Sequence, residues 1–246
     1  MEKAIIQLVE EEVLARIPYK SQLTTLRFIV PARVTANPQK TRALSAHMRA
    51  KARIVDKYSA KDVLDDLGKH LEALVKQELR ANRLTIVAEH EQTRTYKGKT
   101  WTETGHDLDY IAEHPSGEAF GVEVKNELAS IGDDEFYPKI TMCRHLGLRP
   151  VFICRYMVWS YVPKVRDAGG FVITIGNEIY PLGYKHLVEE IRDKMSLPNS
   201  KIPARLQAIA PKLRHQWPIE VRTDLPPDVC QRISDRIRIA LTGRIS

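Results

Sequence analysis

The spacing of apolar residues changes period several times along the chain. Over residues 2–16, Ile5, Leu8, Val9, Val13 and Leu14 recur at helical spacing and predict a short acidic helix. Leu26–Val34 reads as an edge strand or an irregular arm, because Pro31 cannot donate to a central ladder. A strong amphipathic helix follows to about Arg80, built on Val63, Leu64, Leu67, Leu71, Leu74, Val75 and Leu79, with Ser59-Ala60-Lys61-Asp62 before it in the form of a capping box. Leu84–Glu89 is a strand. Two alternating segments, His106–Ala112 and Phe120–Asn126, flank the turn residues of His114–Glu118 and predict a β-hairpin.

After the hairpin, Asp133, Asp134 and Glu135 open a helix that carries Ile140, Met142 and Cys143 until Gly147 stops it. A strand at Val151–Arg155, a helix around Trp159–Ala168, a strand at Phe171–Ile175 and a helix from about Tyr184 to Met195 complete the pattern. Beyond Leu197, prolines 198, 203, 211, 218, 226 and 227 break the tail into short pieces before a helix around Val229–Thr242. The order helix, three strands, helix, strand, helix, strand predicts an α/β fold, a mixed sheet flanked by helices. The expected organisation is a partly helical, basic N-terminal extension over 1–58, an α/β domain over 59–197 and a helical C-terminal tail over 198–246.

The hairpin carries charge where strands should be apolar. Successive side chains of a strand point to opposite faces, so Asp107, Asp109 and Ile111 share one side, and Leu108, Tyr110 and Ala112 the other. In the second strand Glu123 and Lys125 lie opposite Val122 and Val124. If the faces match, Asp109, Glu123 and Lys125 converge. Glu72 lies beside the apolar face of the preceding helix, with Gly68 one turn earlier. Carboxylates at mid-strand are costly to bury unless paired or holding a metal. Such oxygen donors suit Mg²⁺ or Mn²⁺, and a site of this kind hydrolyses phosphodiesters, with a lysine orienting water or stabilising charge. Asp107 is the alternative to Asp109 as the acid of the first strand.

Asp109, thirteen intervening residues and Glu123-Val124-Lys125, preceded by a helix with Gly68 and Glu72, resemble the PD-(D/E)xK nuclease superfamily of restriction endonucleases and archaeal-type Holliday junction resolvases. The resemblance covers residues 59 to about 180. It implies a restriction-endonuclease-like αβββαβ core, Mg²⁺ (or Mn²⁺) held by Asp109 and Glu123, Lys125 assisting the attacking water, Glu72 completing the site and the carbonyl of Val124 as a further ligand. Leu108 stands where the family's name has proline. Lys139 falls where relatives carry a polar residue lining the site.

Charge adds a partner to this picture. A formal net charge of +7 favours polyanions. Six basic residues lie between Lys40 and Lys57 against Asp56 alone, and a basic turn runs from Arg94 to Thr100. Arg49, Lys51, Arg53, Arg94, Lys97 and Lys99 are the candidate phosphate contacts. The expected function is a metal-dependent endonuclease acting on DNA. The alternative is a non-catalytic nucleic-acid-binding or assembly protein of the same fold. Three scattered cysteines argue against a disulfide framework and against a thiolate zinc site. No apolar run reaches the ~18 residues of a membrane span, and the N-terminus lacks a secretory layout, so a cytoplasmic location is expected. Cutting both strands with one site per chain implies a homodimer.

Overall fold

The computed structural model describes residues 2–127, 130–195 and 219–242. Prolines 198, 203, 211 and 218 of the tail lie outside them. In chain order the elements are α1 (Glu2–Glu10), β1 (Leu14–Lys20), β2 (Thr25–Pro31), α2 (Ala32–Thr35), α3 (Pro38–Tyr58), α4 (Lys61–Ala81), β3 (Thr85–Glu89), β4 (Thr95–Tyr96) and β5 (Lys99–Thr100). There follow β6 (Tyr110–Glu113), β7 (Ala119–Lys125), α5 (Asp133–Leu146), β8 (Arg149–Cys154), α6 (Val162–Asp167), β9 (Phe171–Thr174), β10 (Glu178–Tyr180), α7 (Lys185–Met195), β11 (Ile219–Val221) and α8 (Pro227–Thr242). Among the described residues no helix is long and apolar enough to cross a membrane.

The chain divides into two compact units, one containing α1 to α3 with α7, the other containing Asp65–Gly183 with β11 and α8. In the first, the helix expected over 2–16 ends at Glu10. Glu12 turns the backbone at φ 55°, and Leu14–Lys20 pairs antiparallel with β2 instead. Burial alternates along Leu14–Lys20 with the period of a strand, and pairing with β2 satisfies its backbone groups. Asn37 caps α3 by accepting the N–H groups of Gln39 and Lys40 at 3.0 and 3.1 Å, with Pro38 at the first helical position. Near the other end of α3, the Asp56 carboxylate accepts the N–H groups of Gln22 and Leu23 and so fixes the β1–β2 turn.

The second unit is built on a five-stranded mixed sheet in the order β3-β6-β7-β8-β9. β3 pairs with β6, and β6 with β7, in antiparallel, whereas β8 joins β7, and β9 joins β8, in parallel. One face packs Tyr110, Ala112, Phe120, Val122 and Val124 against Leu71, Val75 and Leu79 of α4 and Val229, Ile233 and Ile237 of α8. Each of the Val, Leu, Ile and Phe side chains among them, fully buried, contributes about 1.5–3 kcal/mol. The other face is covered by α5, whose Met142, Cys143 and Leu146 meet Ile111 and Ala119, while Phe136 and Ile140 meet Phe152 and Cys154. Gly121 permits this approach: a Cβ there would fall 2.6 Å from the Cys143 sulfur and 2.8 Å from a Leu108 methyl. Gly147 ends α5 in the left-handed conformation at φ 77°.

The first strand of the acidic hairpin is shorter than its alternation predicts. It begins at Tyr110, and residues 106–109 lie outside it. Leu108 consequently packs in the cluster of Ile111 and Trp101, not with Tyr110 and Ala112.

Candidate metal centre

β7 supplies two of the charged side chains. Its pleat buries Val122 and Val124 toward α4 and turns Glu123 and Lys125 toward α5. Glu123 is only 4% exposed. One of its oxygens pairs with the ammonium of Lys139 in α5, and the other, Oε2, has no partner among the described residues. Lys139 also reaches Glu135 at 3.3 Å, and Lys125 reaches Glu135 at 3.0 Å and Glu127 at 3.3 Å. The ammonium directly against Glu123 is therefore that of Lys139, and Lys125 stands one ion pair further out.

Asp109 occupies the place where β6 would have continued. Its N–H donates to the carbonyl of Val122 at 3.1 Å, and its carboxylate accepts the N–H of Val124 at 2.6 Å. The side chain thus takes over a ladder position that a backbone carbonyl would have filled. β3 reaches the same point from the other side. His90, immediately after it, adopts the left-handed conformation at φ 50° and donates its N–H to the Asp109 carbonyl at 3.1 Å. A histidine in that region of backbone space is uncommon, and such residues gather at functional sites. α4 contributes Glu72, whose Oε2 lies 3.9 Å from His90 Nε2. One donor atom each from Glu72, His90 and Asp109 lies within 4.8 Å of the others.

The electrostatics of the cluster are unbalanced toward negative charge. Burial raises the Asp109 carboxyl from 3.8 to about 7, with Glu72 adding to the effect and Lys139, Val124 N–H and His90 offsetting part of it. Burial, followed by Asp109, pushes Glu123 well above the ordinary carboxylate range. Glu72 is raised as well, again mainly by burial. Burial also disfavours the Lys139 ammonium, but Glu123, Asp109 and Glu135 outweigh it and its pKa ends above the ordinary lysine value. Glu135 is held below the usual range because Lys139 and Lys125 overcome its desolvation.

Glu72, His90 and Asp109 bring donor atoms within 4.8 Å of one another, with the carboxyl of buried Glu123 raised in part by the charge of Asp109, and fit a divalent cation. Glu72 and Asp109 are the hard oxygen donors that Mg²⁺ and Mn²⁺ take, and His90 adds a nitrogen that suits Mn²⁺ better than Mg²⁺. Nothing in the spacing of the sequence singled out His90. Only the pairing of β3 with β6, and the backbone turn at 90, bring it to Asp109. Glu135 was visible in the sequence as a helix-opening acid, but its role as the anchor of both lysines depends on the fold.

The other expected residues are dispersed. Asp107 is half-exposed and acts on Glu72 through charge alone, and His106 bonds Thr104. Val124 contributes its N–H to Asp109. Arg94 donates to the Thr104 carbonyl at 2.9 Å, and Lys97 pairs with Glu113 at 3.1 Å over the Tyr96 ring. Lys97 and Gly98, both at positive φ, form the two-residue turn between β4 and β5, and Lys97 and Lys99 share a cleft with Arg149. Arg49, Lys51 and Arg53 lie on α3 in the other unit, where Arg49 and Arg53 line a cavity with Tyr19, Leu23 and Asp56. Compared with family models, curated proteins and solved structures, the chain matches none.

Proposed function

We propose that the protein is a metal-dependent endonuclease that hydrolyses phosphodiester bonds in DNA, on a restriction-endonuclease-like core of the PD-(D/E)xK type. The observation that carries this reading is the meeting of Glu72, His90 and Asp109 beside the buried, half-partnered Glu123. Glu72, Asp109 and Glu123 hold Mg²⁺ or Mn²⁺, with His90 as an additional donor and the Val124 carbonyl as a further ligand. The bound ion supplies a water of lowered pKa and neutralises charge on the phosphate oxygens. Lys125 and Lys139, both kept charged by their acidic neighbours, add positive potential for the charge that grows on the phosphate during cleavage. Glu135 restrains both ammonium groups, so their positions are set before substrate arrives.

The basic residues Arg49, Lys51, Arg53, Arg94, Lys97 and Lys99 supply contacts to DNA phosphates that do not depend on sequence. Cleavage of both strands calls for a homodimer, and a DNA substrate for a cytoplasmic enzyme. The test is cleavage of plasmid, branched and single-stranded DNA with Mg²⁺ or Mn²⁺, comparing the wild type with Asp109→Ala, Glu123→Ala and Lys125→Ala. Each change is expected to reduce the rate by about 10²–10³-fold. Activity that survives all three single changes would overturn the assignment. Binding of DNA with no cleavage by the wild type would favour a non-catalytic binding protein of the same fold.

A further inference from the structure

We propose that the segment joining β8 to α6 is a stacking platform for the unpaired bases of single-stranded DNA, with Trp159 as its main face. The proposal rests on the nucleic-acid reading above and narrows its substrate. Trp159 is 81% exposed, the most exposed large apolar side chain among the described residues, and Tyr156 beside it in sequence is 53% exposed. Large aromatic rings of this kind are ordinarily drawn into a core, as Trp101 is in this protein.

The exposure is not that of a loose loop. Between and beyond the two exposed rings, Met157 and Tyr161 are buried in the cluster of Phe136 and Phe152. Tyr161 stacks on Phe136 with centroids 4.0 Å apart and planes within 6°, and its hydroxyl donates to Asp133. Anchors on both sides of Trp159 hold the backbone that carries the indole, so little backbone ordering entropy is lost when a planar ligand settles on it. The segment begins beside the Lys125 end of β7. Arg155 donates its N–H to the carbonyl of Lys125 at 3.2 Å, and four residues of chain place Trp159 at most ~14 Å further on.

The surroundings match a nucleic acid better than an apolar partner. Lys164 lies over the half-exposed ring of Tyr137 at 5.3 Å, and Arg155 donates from its guanidinium to the Glu127 carbonyl. Rings interleaved with cations are what proteins that hold single strands use: the ring takes the face of a base and the cation the backbone. In a duplex those faces are covered by neighbouring bases, so Trp159 discriminates in favour of an unpaired, frayed or branched region.

The test is fluorescence anisotropy of the full-length chain in EDTA with a labelled oligothymidine of about 15 nucleotides and with a duplex of equal length. Trp159→Ala is expected to weaken single-strand binding about tenfold, Trp159→Phe less, and duplex binding by under about twofold. The exposed position leaves the fold intact, which circular dichroism checks. Single-strand binding unchanged in Trp159→Ala, or an equal loss for the duplex, overturns the platform. So does sedimentation showing that Trp159→Ala breaks up an assembly of wild-type chains, since the indole would then cover a second copy. Plasmid cleavage with Mn²⁺ is measured in parallel. Loss of single-strand affinity with no cleavage by either protein upholds the platform and removes only the catalytic reading.

Discussion

The carboxylate of Asp109 accepts the backbone N–H of Val124 at 2.6 Å, so an acid side chain completes the rung at which β6 stops. That bond holds the acid at the end of a rigid sheet while leaving its second oxygen for a ligand. It also separates two substitutions that are often treated as equivalent. Asp109→Asn keeps an acceptor for Val124 and removes a charge that Glu72 and Glu123 repel. The metal-free protein should become more stable by about 1 kcal/mol while cleavage falls about 10²–10³-fold. Asp109→Ala leaves the Val124 N–H without its partner and should be less stable than Asp109→Asn by about 1–3 kcal/mol, read from urea unfolding.

The metal-free protein should lose stability as pH rises. Asp109 titrates at about 7 when folded and near 3.8 in the unfolded chain, and Glu72 and Glu123 shift in the same direction. Between those values the folded chain keeps protons that the unfolded chain has released. The stabilising contribution is therefore full below about pH 4 and is lost as pH climbs through about 7. Thermal unfolding in EDTA from about pH 5 to 8 should show the decline, and saturating Mn²⁺ should flatten it, because the ion favours the ionised carboxyls.

Lys139→Met should be among the most damaging changes at the site. It strands Glu123, 4% exposed, without its cation, and breaking a buried pair from one side costs about 3–5 kcal/mol. The double change with Glu123→Gln removes both charges and should recover much of that loss. Lys125→Met, at a partly exposed position with Glu135 still paired to Lys139, should cost under about 1 kcal/mol in stability while reducing cleavage.

His90→Ala should alter which metal binds. Without the imidazole the donor set is all oxygen, so Mn²⁺ affinity should fall about tenfold by titration calorimetry, while Mg²⁺ affinity falls by less.

How far the sequence carried these conclusions depends on regularity. Strict alternation over Phe120–Asn126 set Glu123 and Lys125 on one face against Val122 and Val124, and the strand Ala119–Lys125 follows it, one residue earlier at each end. The same rule misplaced Leu108, because it assumes a pleat that begins at His106, and the strand begins four residues later. The acids Asp133–Glu135 fall in the first turn of α5 and Gly147 closes it, as their local chemistry announced. The N-terminal segment defeated the spacing argument because Val13 and Leu14 fit the helical spacing while Leu14 also opens the alternation of a strand that runs to Lys20. The place of His90 beside Asp109 is a property of pairing between separate strands, and periodicity along the chain does not contain it. Lys139 and Glu135 are one helical turn apart in α5, so that pair follows from helix spacing, whereas the reach of Lys125 to Glu135 depends on how α5 packs on β7.

One buried side chain ties those segments together in time as well as in space. Asn126, 3% exposed at the end of β7, donates its amide to the carbonyls of Leu67 in α4 and Ile179 in β10, and accepts the Ile179 N–H. These bonds span 59 and 53 residues. The acidic hairpin can close early because its partners are neighbours, but the bonds of Asn126 to α4 and β10 form only when these long loops have closed. During synthesis that moment cannot come before residue 179 has emerged. If the proposed metal site is real, uptake of an ion would mark a finished fold: an incomplete chain presents single acids, and the completed one presents Glu72, His90 and Asp109 together.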